Sequence, residues 1–187
     1  MFEELLARLA GLLDRAGIPY MVIGGQAVQL YGEPRLTRDI DLTLGIGVDG
    51  LDRVTDVCRD AGLRMAVPEP RQFVQETMVL PAVEDRTGIR VDFVFSFSEY
   101  ERQAIGRSRE VELGGTMVRF AAVEDLVIHK LVAGRPRDVE DVRSILVRNP
   151  AFDRDYVARW LGDLDRALDR ELGRDFARLL AGIRTDS

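Results

Sequence analysis

Several absences in the 187-residue sequence narrow its possible roles. There is one cysteine, Cys58, so no disulfide can form within the chain, and a reducing, cytoplasmic setting is expected. No apolar run approaches the roughly 18 residues that a membrane span requires, so no membrane role is expected. The opening segment MFEELLARLAGLLDRAG is amphipathic and carries acids, unlike a signal peptide. There is one histidine, His129, four residues after Asp125; that spacing suits a surface pair on a helix, and no catalytic part is assigned to it. Lysine is nearly absent as well, because 25 of the 26 basic residues are arginine and Lys130 stands alone. The net charge of −6 lacks the basic excess of a protein that grips long nucleic acid, so extended DNA binding is not expected. A local basic cleft remains compatible with it. No internal repeat or low-complexity segment is visible.

At 46% hydrophobic residues, the chain can bury the core of one domain with a helical annex. Its organising stretch is Tyr20 to Ile46, YMVIGGQAVQLYGEPRLTRDIDLTLGI. A short apolar run ends in Gly24-Gly25, a small amphipathic segment and a polar turn follow, and the turn leads into Asp39-Ile40-Asp41-Leu42-Thr43-Leu44. Alternate side chains of a strand share a face, so Ile40, Leu42 and Leu44 face a core while Asp39, Asp41 and Thr43 face away from it. Paired carboxylates repel unless a cation lies between them, and an all-oxygen set suits Mg2+ or Mn2+. A solvated strand face accounts for the same alternation. Gly-Gly between a strand and a helix leaves backbone N–H groups open to a phosphate, although tight turns use paired glycines too.

The remaining pattern is coarse. Leucines at helical spacing predict a helix over 2–15, stopped by Gly17-Ile18-Pro19. A further helix is expected over 49–61, a loop over 65–73, a strand over 76–83 with Pro81 at a sheet edge, and a helix over 96–105. Residues 111–120 read as a hairpin around Gly114-Gly115. The run Ile89-Arg90-Val91-Asp92-Phe93-Val94-Phe95 alternates like the first acidic strand. By itself, Asp92 there suits an arginine partner, Arg90 or Arg86, better than catalysis.

From Ala122 onward the pattern is helical. Lys130 falls within an apolar stripe, which leaves three roles open: snorkelling, a structural ion pair, or a charge directed at phosphate. Asp138 and Asp141 read as an N-cap and an acid at the third helical position of a helix over 139–146. Gly173 is the expected break between two final helices.

In its order of elements, GGQAVQLYGEPRLTRDIDL resembles the signature of the nucleotidyltransferase superfamily with the polymerase-beta-like fold, and it is most similar to AbiEii-like bacterial members. VEDLVIHKLVAGRPRDVEDV looks like their helical continuation. The resemblance spans Tyr20 to Leu146. It implies an α+β fold, a mixed sheet flanked by helices over 1–121 with a C-terminal helical region over 122–187. It also implies transfer of a nucleoside monophosphate from a nucleoside triphosphate to a hydroxyl acceptor, which is a tRNA end, a protein or a small molecule. Some such proteins are toxins with a protein antitoxin. The implied metal ligands for Mg2+ or Mn2+ are Asp39, Asp41 and Asp92, with Asp92 accepting the acceptor's proton. Gly24, Gly25 and Gln26 would meet the triphosphate, and Arg38 and Lys130 would offset its charge. Gln26 departs from the serine that many members carry within this motif. The alternative within the same fold is a catalytically silent nucleotide-binding or protein-interaction module.

Overall fold

Helical leucine spacing followed by glycine forms α1, Phe2–Arg15, whose Leu5, Leu6, Leu9 and Leu13 are buried. The computed structural model describes residues 2–34, 36–96 and 98–185; Arg35 and Phe97, which fall in the expected turn and helix, lie outside the described residues. The chain divides into two compact units, Met1–Gln26 with Leu36–Ala121, and Ala27–Arg35 with Ala122–Ser187.

Among the described residues the first unit is built on seven strands: β1 Tyr20–Ile23, β2 Asp39–Leu44, β3 Arg64–Met65, β4 Val79–Glu84, β5 Ile89–Phe95, β6 Arg109–Leu113 and β7 Thr116–Phe120. They form one mixed sheet in the order β3-β4-β5-β2-β1-β7-β6. The pairs β2/β5 and β1/β7 are parallel, and the other pairs are antiparallel. As the alternation requires, Ile40, Leu42, Leu44, Val91, Phe93 and Phe95 are all buried. Gly114 and Gly115 both have positive φ, 56° and 80°, the conformation that a two-residue hairpin turn demands, and β6 and β7 pair around them.

Helix α2, Gly24–Tyr31, leaves β1 directly, and its later residues belong to the second unit. Helix α3, Leu51–Asp60, follows a single 3-10 turn. Between β3 and β4 the structure differs from the expected loop and long strand. Pro70 opens α4, Pro70–Thr77, because a proline at the first helical position lacks only an N–H that would go unpaired anyway. Glu76 and Thr77 therefore end a helix, and β4 starts at Val79. Pro81 lies one strand in from the edge, not on it. Its carbonyl accepts from Ala66 N at 2.8 Å just beyond two-residue β3, so its missing N–H faces the place where that strand has ended. Helix α5, Glu99–Gly106, is fixed by a reciprocal cap between Ser98 and Glu101.

The second unit contains α6 Val123–Ala133, α7 Pro136–Arg148, α8 Arg154–Leu168 and α9 Leu172–Thr185. The final break falls at Asp169, whose φ is 51°, with Gly173 already inside α9. Helix α7 begins at Pro136, earlier than expected, so Asp138 is its third residue and accepts from the Arg135 backbone N–H, and is not the N-cap. The expected surface pair of Asp125 and His129 is not on the surface: Asp125 is fully buried and accepts from Tyr156 Oη at 2.8 Å. No helix among the described residues is long and apolar enough to cross a membrane.

Candidate active site

Two neighbouring parallel strands bring the sequence's acids together. Asp41 of β2 is the register partner of Asp92 of β5, and register partners share a sheet face. Asp39 lies two residues earlier on that face, opposite Arg90. All three acids are half-buried at the sheet surface, and the layer behind them, Ile40, Leu42, Val91 and Phe93, is fully apolar. Hydrophobic burial thus sets the register, and the register sets the spacing of the carboxylates.

The glycine pair closes one side. Asp41 is also the partner of Ile23, the last residue of β1, so Gly24 starts α2 next to the Asp41 carboxylate. Gly24 has φ +66°, and a Cβ there would lie 1.9 Å from Asp41 Oδ2 and 2.7 Å from Asp41 Cγ. A side chain there would be strained by the conformation and would have to displace the Asp41 carboxylate. The N–H groups of the first turn of α2 thus begin beside this acid.

Asp92 is the electrostatically strained member. Its Oδ1 is buried and has no hydrogen-bond partner among the described residues. Burial pushes its carboxyl above the usual carboxylate range, the Arg90 charge opposes this, and the Asp39 charge adds to it. The expected arginine partner thus acts only at a distance. Gln26, 8% exposed, also has a buried Nε2 without a partner among the described residues. Arg38 is exposed immediately before β2.

The donor type of these residues, though not their present spacing, suits a divalent cation. The donors are carboxylate oxygens from adjacent strands, and an unneutralised Asp92 Oδ1 beside two further acids is the arrangement that positive charge relieves. Among the described residues, as they are placed, no three His, Cys, Asp or Glu side chains form a group that could hold a metal ion.

Lys130 belongs to the second unit, where it is 5% exposed. Its Nζ donates to Asp138 Oδ1 and Asp141 Oδ2, both at 2.8 Å. Asp138 Oδ2 also accepts from Arg135 Nε at 2.6 Å. Burial alone would raise the Asp138 carboxyl, but hydrogen bonds from Arg135 and Lys130, with their charges, hold it below the ordinary range. The lysine therefore occupies the ion-pair role that the sequence left open. Thr43, which sequence reasoning placed on the acidic face and gave no role, is fully buried, and its Oγ1 has no partner among the described residues. A hydroxyl on an acidic face was the only signal in the sequence that singled it out.

A family model described as a nucleotidyltransferase of unknown function, DUF6036, matches residues 1–171. No curated protein matches the chain. Among solved structures, the antibiotic-resistance factor ANT(2'')-Ia is similar at 16% identity and a TM-score of 0.59, over 98% of this chain and 95% of that one. The same factor in complex with adenylyl-2''-tobramycin gives a TM-score of 0.58 at 16% identity, over 90% and 98% of the two chains. An antigenic nucleotidyltransferase-like protein from Paracoccidioides brasiliensis is similar at 17% identity and a TM-score of 0.56, over 96% and 91% of the two chains. The lincomycin-bound lincosamide antibiotic adenylyltransferase LnuA gives 16% and 0.53, over 76% and 94%. At these identities the likeness shows the fold.

Proposed function

The chain belongs to the nucleotidyltransferase family of unknown function, and from that premise we propose a metal-dependent enzyme that moves a nucleoside monophosphate from a triphosphate to a hydroxyl of a small polar acceptor. The observation that carries this reading is the register of Asp41 with Asp92 beside Gly24, where a Cβ would displace the Asp41 carboxylate.

In this reading Asp39, Asp41 and Asp92 hold Mg2+ or Mn2+. A bound divalent cation supplies charge stabilisation at the reacting phosphate and its leaving oxygen. The backbone N–H groups at Gly24 and Gly25 orient the triphosphate, the Gln26 amide supports it, and exposed Arg38 offsets its charge. Asp92 accepts the proton of the acceptor hydroxyl. The acceptor oxygen then bonds to the α-phosphorus, the bridging bond to the β-phosphate breaks, and pyrophosphate leaves. Lys130 is assigned to joining α6 and α7 through Asp138 and Asp141.

A small acceptor is favoured over RNA by charge, because the sheet-bearing unit carries most of the excess negative charge of the chain. The same charge suits a cationic compound, and one similar structure contains adenylyl-2''-tobramycin. The test is incubation with each α-labelled triphosphate, Mg2+ or Mn2+, and three acceptors in turn: a hydroxylated amino sugar, tRNA and a protein extract. Label on the amino sugar supports the proposal. Label on tRNA or protein would move it to the RNA- or protein-modifying, toxin-like branch. Tight nucleotide binding without transfer to any of the three would make the chain a silent binding module.

A further inference from the structure

Among the described residues, Gln26, Thr43 and Asp92 of the sheet-bearing unit each have a buried polar atom with no hydrogen-bond partner. All three sit on the elements that meet at Asp41: the first turn of α2, β2 and β5. An unpaired buried hydroxyl costs about 1–3 kcal/mol, so a native chain keeps one where something outside the protein completes it. Valine would fill the place of Thr43 at the same volume with no such cost.

The register relates two of the three. Thr43 pairs with Val94 and Asp41 with Asp92 across the same two strands, so Thr43 and Asp92 are diagonal neighbours on one face. With parallel strands about 4.8 Å apart and a rise of about 3.3 Å per residue, the two positions are about 8 Å apart. A threonine hydroxyl and an aspartate carboxylate reaching towards each other across that distance leave about the span of one water that bonds to both. A hydroxyl can donate to such a water or accept from it, and a carboxylate accepts.

We propose that Thr43 is a positioning residue: through one buried water it holds Oδ1 of Asp92, so that the carboxylate keeps the orientation in which it takes metal. The inference rests on the metal-dependent reading above. Thr43 touches neither nucleotide nor metal. Groups that orient a metal-holding side chain in this way typically change metal affinity by about 10–100-fold when removed.

The test compares wild type, Thr43→Val and Thr43→Ser by titration calorimetry with Mn2+ in the presence of a non-hydrolysable ATP analogue, alongside thermal denaturation without ligand. The expected result is Mn2+ binding about tenfold weaker in Thr43→Val, at least half restored in Thr43→Ser, with the melting temperature of Thr43→Val no lower than wild type. A melting temperature that falls while Mn2+ affinity stays within twofold makes the hydroxyl purely structural and overturns the proposal. So does a raised melting temperature with unchanged affinity, which marks a hydroxyl with no partner at all. Wild type that binds no Mn2+ overturns the metal-dependent reading itself, so the two failures are distinguishable. A crystal structure without a water shared by Thr43 Oγ1 and Asp92 Oδ1 also overturns it.

Discussion

Replacing Asp92 by asparagine separates what the fold wants from what the site needs. In the folded protein burial raises the Asp92 carboxyl and Asp39 raises it further, against the weaker pull of Arg90. A group whose folded pKa lies above its unfolded value binds more protons in the folded state. Its ionised form therefore destabilises the fold. That penalty is absent below the ordinary value of 3.8 and develops as pH rises through the raised folded value. Asparagine removes the charge but leaves a polar atom at the position of the unpartnered Oδ1. The relief is thus placed at the low end of the cost of an unsatisfied buried group, about 1 kcal/mol. In a chain of this size that corresponds to a rise of about 2–4 °C in melting temperature at pH 7, shrinking as pH falls towards 4. Adding Mn2+ and a non-hydrolysable triphosphate should reverse the order, because ligand binding stabilises only the form that binds well. Loss of the base should slow transfer about 10²–10⁴-fold. Differential scanning fluorimetry across pH, with and without ligand, reads the first two effects, and label transfer reads the third. A ligand-free Asp92→Asn variant that melts below wild type at pH 7 would show that the carboxylate is held by the protein, and the reasoning would fail.

Gly24→Ala should lower stability by about 1–2 kcal/mol from its positive φ alone and displace the Asp41 carboxylate, so calorimetry should find Mn2+ binding reduced more than tenfold. Lys130→Met leaves Asp138 and Asp141 buried without their shared cation, and chemical denaturation should show a loss of about 3–5 kcal/mol; unaltered stability would refute the ion-pair role. Asp138 contributes stability above its ordinary pKa of 3.8 that is lost as pH falls through its depressed folded value, so Asp138→Asn should narrow the stability gap between pH 7 and pH 3 in denaturant titrations. Burial pushes the Cys58 thiol up to about 12, so a thiol reagent at pH 8 should label it only after denaturant is added.

The sheet was readable where two periodicities agreed. Residues 39–44 and 89–95 alternate strictly, and apolar alternation fixes which side chains point to the core, so the facing of Asp39, Asp41 and Asp92 followed from the sequence. The Gly114-Gly115 hairpin was readable because few residues other than glycine take two consecutive positive φ values. Helix α4 was misread because Pro68 and Pro70 suggested an interrupted chain, whereas Pro70 serves as a helix start. Strand neighbours were beyond the local pattern, and only the family resemblance grouped Asp92 with Asp39 and Asp41. That β5 lies against β2, placing Asp92 opposite Asp41, depends on a crossover between residues 44 and 89 that no local pattern encodes.

The charged residues of the second unit show a different limit. By helical position Asp138 and Asp141 looked like a cap and a first-turn acid, and Lys130, in an apolar stripe, kept three roles open, because spacing reports a face and not its neighbour. Burying one ammonium with two carboxylates is costly unless the hydrogen bonds are short and complete, as the two 2.8 Å contacts and the Arg135 contact make them. The acids of the sheet are the opposite case: Asp92 is left unpaired on a well-packed strand whose apolar face is saturated. One unit neutralises its buried charge internally, whereas the other keeps a carboxylate at an energetic cost next to two more. That asymmetry, rather than the presence of acids, is what sets the sheet carboxylates apart from a structural ion pair and underlies the proposed metal role.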